Sequence, residues 1–237
     1  MNGTNRILIV VTNAGEYEKV GYRTGLWLGE LTHFWDVAEE ARFAIDIASP
    51  SGGYVPIDPE SLMAQETAHM IGIETTVQKR YQDRAFMNQL KDTRRVSEVE
   101  PSAYDAIYLT GGHGVMFDFT NEGLAKKVAE FFEAGKIVSA VCHGPGGLLN
   151  ARLSTGEYLL KGRKVTGFSW REEELAKRAE AVPFNLEEEM KKRGAKYEKA
   201  MLPFAAHVVE DGRLITGQNP KSARGVGEAV VKQLRKP

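Results

Sequence analysis

Apolar positions change their period several times along the first half of the chain. Arg6-Ile-Leu-Ile-Val-Val-Thr12 is an unbroken, β-branched run, the pattern of a strand buried on both faces. Asn13-Ala-Gly15 ends it. From Thr24, a side chain able to cap a helix, Trp27, Leu31, Phe34, Trp35 and Ala38 recur at helical spacing to about Ala41. A second strand reads at Phe43–Ala48 and stops at Ser49-Pro-Ser-Gly-Gly53. A third covers Ala106–Thr110, a helix Leu124–Phe132, and a fourth strand Lys136–Val141.

The second half is shorter in its elements. A Gly/Pro-broken helix is expected near Pro145–Asn150 and a strand at Lys164–Thr166. Ser169 followed by Glu172 is a capping box for the next helix. Leu186–Arg193 reads as a helix that Gly194 stops. Short strands follow at Ala206–Val209 and Arg213–Thr216, and Asn219-Pro220 opens a last helix with Val226, Ala229, Val230 and Leu234 inward. Strands alternating with helices predict one α/β domain over residues 1–237, a mostly parallel sheet with helices on both sides. Tyr54 to Pro101 breaks that rhythm. With helical pieces near Pro59–Met70 and Gln82–Lys91, it reads as an inserted cap over the site.

Composition narrows the function. The 31 Lys and Arg against 32 Asp and Glu give a net charge of −1, which offers no electrostatic reason to expect nucleic acid or an anionic membrane as partner. Nothing approaches the ~18 apolar residues of a membrane helix. The single cysteine, Cys142, excludes an intrachain disulfide and suits a reducing, cytoplasmic setting.

Candidate chemistry centres on that cysteine. In Ala140-Val-Cys-His-Gly-Pro145 a β-branched strand runs into a nucleophile between small neighbours, the pattern of a strand-to-helix nucleophile elbow. The helix N-terminus beyond it is expected to lower the thiol pKa. A lone cysteine is also often buried and inert. His143 could fold back toward the sulfur as acid/base partner if a third group fixes its tautomer; otherwise it faces solvent at a helix start. Glu30 lies on the apolar stripe of the first helix, either desolvated with a raised pKa or at the stripe's edge in water. Gly111, Gly112 and His113, after a strand, could supply oxyanion-binding amides together with the His143 N–H, although tight turns need glycine anyway. There is no dinucleotide or P-loop pattern and no ligand spacing for a metal, so neither cofactor nor metal is expected.

Ala140-Val-Cys-His-Gly-Pro145, Gly111-Gly-His-Gly114 and Thr24-Gly-Leu-Trp-Leu-Gly-Glu30 together resemble the ThiJ/PfpI superfamily. Within this class I glutamine-amidotransferase-like group, the similarity is to the heat-shock-type, glutathione-independent glyoxalases. Asn13-Ala-Gly15, Pro56-Ile-Asp-Pro59, Thr166-Gly-Phe168 and Gly212 to Pro220 extend it nearly end to end. The resemblance implies a flavodoxin-like α/β/α sandwich and conversion of methylglyoxal or glyoxal with water to D-lactate or glycolate. It implies Cys142 as nucleophile, His143 as base, Glu30 as the carboxyl beside the thiol, and Glu173 as the group orienting His143, with Glu172 and Glu174 flanking it. It further implies a small 2-oxoaldehyde as substrate and a homodimer. A cysteine amidase or peptidase, a deglycase, a holdase chaperone and a redox sensor are the competing readings.

Overall fold

In the computed structural model, which describes residues 4–63 and 75–236, β1 (Arg6–Val10) is an interior strand of a seven-stranded sheet. Its parallel neighbours are β2 (Ala44–Ser49) and β4 (Ala106–Leu109). Outside β2 runs the two-residue β3 (Arg94–Arg95); outside β4 come β5 (Ile137–Val141), β9 (Leu214–Gly217) and the antiparallel edge strand β8 (Val208–Asp211). The order β3-β2-β1-β4-β5-β9-β8 contains the doubly wound flavodoxin arrangement, which places ligand sites at the carboxyl ends of the central strands.

Two apolar layers explain why the strands read as unbroken runs. Leu8, Val10, Ile107, Leu109, Val138 and Ala140 point into one layer, with helix α5 (Glu122–Glu133). Ile7, Ile9, Tyr108, Ile137 and Val141 point into the other, under α1 (Leu28–Glu40) and α8 (Ala223–Leu234). The alternation of side chains across a strand sends each neighbour to the opposite layer, so both positions are apolar.

Helix α1 is seated by an aromatic stack. Phe34 lies on Tyr108 with ring centroids 3.7 Å apart and an interplanar angle of 7°. The Tyr108 hydroxyl donates to the Glu30 carbonyl at 3.0 Å. Such a pair is worth about 0.5–1.5 kcal/mol beyond its buried area, and it sets the rotation of α1 that turns Glu30 inward.

Several expectations are corrected. Thr24 does not cap α1: the helix starts at Leu28, and the Thr24 hydroxyl donates to the Asp58 carboxylate at 2.8 Å. The strand expected at Lys164–Thr166 is β6 (Lys164–Val165), outside the main sheet and paired with β7 (Lys196–Tyr197), because β9 already occupies the place beside β5. Of the piece expected at Pro59–Met70, residues 59–63 are helical and the remainder lies outside the described residues. Residues 54–101 also hold α2 (Thr76–Gln82), α3 (Arg84–Asn88) and the edge strand β3, and the short α4 (Val115–Asp118) follows β4. The capping box is present: Ser169 accepts from the Glu172 N–H at the start of α6 (Trp170–Leu175), ahead of α7 (Leu186–Lys192). No described helix is long and apolar enough to cross a membrane.

Candidate active site

Cys142 comes directly after the last residue of β5 with φ of +58°, a left-handed conformation that costs a non-glycine residue about 1–3 kcal/mol. The turn is held from both sides. The Cys142 N–H donates to the Gly217 carbonyl at 2.9 Å, and its carbonyl accepts from the Phe168 N–H at 2.7 Å. Beyond His143 the chain forms a five-residue 3₁₀ turn, Gly144–Leu148, where the elbow pattern predicts an α-helix. Such a turn carries little of the macrodipole that would lower the thiol pKa.

The strain swings His143 back onto its neighbour. Cys142 Sγ and His143 Nδ1 are 3.3 Å apart, and His143 Nε2 meets Glu173 Oε2 at 2.8 Å. Glu173 sits in the first turn of α6, one residue after the capping Glu172. That neighbour anchors the turn: its carboxylate also accepts from Gln218 Nε2 at 2.9 Å, Asn219 Nδ2 at 3.0 Å and the Phe204 N–H at 2.8 Å. Of the three consecutive glutamates, Glu172 is therefore a structural hub, Glu174 is exposed, and Glu173 meets the histidine.

On the other side of the thiol, Glu30 is fully buried, which settles its place on the helix stripe. Its Oε2 accepts from the Gly111 N–H at 2.7 Å, and its Oε1 has no hydrogen-bond partner among the described residues. A Cβ on Gly111 would lie 2.5 Å from that Oε2 and 2.8 Å from the Cys142 Cβ, so the turn must carry glycine there. Gly112 has a φ of +99°, and a Cβ there would lie 2.2 Å from the Gly25 carbonyl oxygen, so this position too must carry glycine. Among the described residues neither the Gly112 amide nor the His143 amide donates to a backbone carbonyl.

The His113 side chain has a place of its own, which the expectation for its backbone amide did not include. Its ring Nε2 meets Glu173 Oε1 at 2.7 Å, so one carboxylate holds two imidazoles, whose ring centroids are 4.3 Å apart. The three side chains bring metal-ligating types of atom within 4.8 Å of one another, a cluster that sequence spacing did not suggest. Each Nε2 in it is engaged with its own carboxylate oxygen.

Burial sets the charges. It pushes the Glu30 carboxyl from 4.5 up to about 8, against the pull of its contacts with Cys142 and the Gly111 N–H. Burial, and then the Glu30 charge, push the Cys142 thiol well up, the reverse of the expected lowering; the Gly112 N–H opposes them. Thiol and carboxyl therefore cannot both be ionised at neutral pH, and they titrate as a pair. Burial and the neighbouring His113 lower His143, with Glu173 opposing. Burial also pushes Glu173 up, but the His143 charge and hydrogen bonds from both histidines outweigh it and hold this carboxyl well below the usual carboxylate range. An ionised Glu173 only accepts, so both Nε2 atoms carry hydrogen. This leaves the His143 Nδ1 lone pair facing the thiol.

These groups open on a cavity of 160 Å³, walled further by Trp27, Glu60, Phe168, Phe204 and Pro220. At ~30 Å³ per water it holds about five water-sized groups. A larger groove, 560 Å³, runs between α5 and residues 150–158, but no thiol or imidazole lines it. The aromatic wall was not identified from sequence, since Phe168 and Phe204 carry no local pattern that separates them from core residues.

The sequence profile of the DJ-1/PfpI family matches residues 24–233, which span the elbow, the Gly111 turn and Glu30. The chain belongs to the DJ-1/PfpI family. Among its DJ-1/PfpI relatives, "Glyoxalase 3" of Candida albicans is 29% identical over 237 residues, covering 95% of this chain and 97% of that protein. The crystal structure of glyoxalase III from Candida albicans superposes with a TM-score of 0.83 at 29% identity, covering 96% of each chain. The Rapid Encystment Protein 24 KDa of Francisella tularensis gives a TM-score of 0.90 at 34% identity, over 98% of this chain and 100% of that one.

Proposed function

We propose that the protein is a glutathione-independent glyoxalase of the glyoxalase III type, a lyase that converts methylglyoxal and water to D-lactate. The observation that carries this reading is the Cys142 thiol set between the buried Glu30 carboxyl and the Glu173-held His143 imidazole at a small cavity of 160 Å³. Relatives named as glyoxalases over nearly their whole length support it. A peptide or amide hydrolase needs a groove that admits an extended chain, and a cavity of 160 Å³ suits a three-carbon ketoaldehyde better.

The residues support a definite sequence of steps. His143 Nδ1 takes the Cys142 proton as sulfur bonds to the aldehyde carbon, then returns it to the new oxyanion, giving a hemithioacetal. The amides of Gly112 and His143 face the developing oxyanion. His143 next removes the hydrogen on the former aldehyde carbon. The electron pair forms the enediol double bond as the ketone oxygen takes up a proton; protonation of that adjacent carbon, with loss of the hydroxyl proton from the first carbon, then leaves a thioester. Water attacks the thioester carbonyl, the C–S bond breaks, and sulfur regains its proton. Glu173 keeps His143 in the tautomer the first step needs, and the Glu30 carboxyl supplies a proton to the sulfur as it leaves. Of the inserted segment, described residues 59–63 contribute Glu60 to the cavity wall and act as part of its cap.

The test is D-lactate formation from methylglyoxal without glutathione or added metal, for wild type beside Cys142→Ala and His143→Ala. Turnover by wild type alone is the expected result. A folded wild type whose thiol is alkylated by iodoacetamide but which forms no D-lactate would overturn the reading.

A further inference from the structure

Outside the groups that handle protons, the cavity wall carries one more ionisable side chain, Glu60. It projects from helical residues 59–63, and its carboxylate is ion-paired with the Arg178 guanidinium, just beyond the end of α6. Arg178 itself lies 5.6 Å from the centroid of the Tyr22 ring. Two residues before Glu60, the buried Asp58 is tied to Thr24 and to the Glu60 N–H, at 2.8 Å each. Among the described residues Glu60 is thus the carboxylate that lines the cavity, beside the thiol, the two imidazoles and the apolar Trp27, Phe168, Ala176, Phe204 and Pro220.

A cavity of 160 Å³ puts its wall groups within roughly one Debye length, about 8 Å at physiological salt, of any molecule inside. The Glu60 side chain is 43% exposed on its outer side, while the apolar part of the wall weakens the screening on the cavity side, so its charge is felt by the occupant. In the proposed reaction the substrate is uncharged and the product is a carboxylate. A negative wall favours entry of the first and departure of the second.

We propose that Glu60 is a specificity-determining residue that admits uncharged 2-oxoaldehydes and excludes anionic carbonyl compounds, with Arg178 holding its carboxylate at the cavity wall. The substrate named here rests on the glyoxalase reading; the charge selection does not. Arg178 cancels part of the field, so the two single substitutions act in opposite directions. Glu60→Gln removes a negative charge and releases the guanidinium; Arg178→Gln leaves the carboxylate uncompensated.

Iodoacetamide and iodoacetate, nearly equal in size and alike in leaving group, read the field directly. The ratio of their rates of Cys142 alkylation cancels changes in thiol reactivity. Glu60→Gln should raise the iodoacetate-to-iodoacetamide ratio about tenfold, and Arg178→Gln should lower it about threefold. Glu60→Asp, which keeps the charge, should restore a wild-type ratio, and raising the salt should compress all the differences. A ratio that stays within twofold in Glu60→Gln, or that both variants move in the same direction, overturns the proposal. Because alkylation needs no turnover, a charge-selective thiol that forms no D-lactate would refute the glyoxalase reading alone. D-lactate formation without charge selection would refute this one alone.

Discussion

Replacing Glu30 with Gln isolates the cost of keeping an ionisable carboxyl beside the thiol. The folded carboxyl is raised from 4.5 to about 8, chiefly by burial. Between those values the folded protein keeps a proton that the unfolded chain has released, so this residue makes stability fall as pH rises. At ~1.4 kcal/mol per pH unit the penalty is nil below pH 4.5, about 3 kcal/mol at pH 7 and on the order of 5 kcal/mol above pH 8. Gln has the same shape and no such penalty. The stability of Glu30→Gln relative to wild type should therefore climb steadily from pH 5 to pH 8, by roughly 3–5 kcal/mol. Urea unfolding at each pH measures it, and other titrating groups cancel in the difference. The thiol is coupled to Glu30, so the pair is also compared in a Cys142→Ser background. The same substitution should reduce D-lactate formation, making the variant more stable and less active. A difference that stays constant from pH 5 to pH 8 would mean that the carboxyl is not desolvated, and that it does not hold the thiol in its protonated form.

Three further perturbations test the rest of the site. His143→Ala should lower kcat for D-lactate formation by at least ~10²–10⁴-fold; a loss under tenfold would remove His143 from the proton transfers. Glu173→Gln leaves one acceptor oxygen for two imidazoles, so kcat should fall. Because Glu173 is held low in the folded state, the stability it contributes is present above the unfolded value near 4.5 and lost as pH falls below it. The wild-type advantage in urea midpoint over Glu173→Gln should therefore shrink between pH 6 and pH 3; an advantage that grows would contradict the ionised carboxylate. Gly111→Ala sets a methyl 2.5 Å from Glu30 Oε2 and 2.8 Å from the Cys142 Cβ. It should cost about 1–3 kcal/mol in a thermal melt and abolish most D-lactate formation, and an unchanged melting temperature would show that the turn relaxes freely.

Legibility from the residues divides by range. β1 and β5 are legible because a strand covered on both faces is a continuous apolar run, and the elbow because its small flanks are adjacent in sequence. The Ser169–Glu172 capping box is equally local. Thr24 shows the limit: it has the chemistry of a cap, but its hydroxyl is claimed by Asp58, 34 residues away. β3 and the β6–β7 pair are two residues long each, too short for any period to show. The thiol pKa runs against the local expectation because its sign depends on two non-local facts, complete burial and the contact with Glu30. The local fact, a helix start, is itself only a 3₁₀ turn.

The two site glutamates show the same dependence in the chemistry. Glu30 and Glu173 are the same residue type, both buried, each on the first turn of its helix. One helix points its carboxyl at a thiol and a single backbone amide, and desolvation wins. The other points its carboxyl at two imidazoles, and their hydrogen bonds and charge win. The site thus holds a neutral acid on one side of the sulfur and a fixed anion behind the base on the other, the separation of pKa values that acid–base chemistry at neutral pH requires. No property of either residue or of its sequence neighbours distinguishes the two outcomes. The partners decide, and the fold chooses the partners by bringing α1, the Gly111 turn, the β5 elbow and α6 to the same end of the sheet.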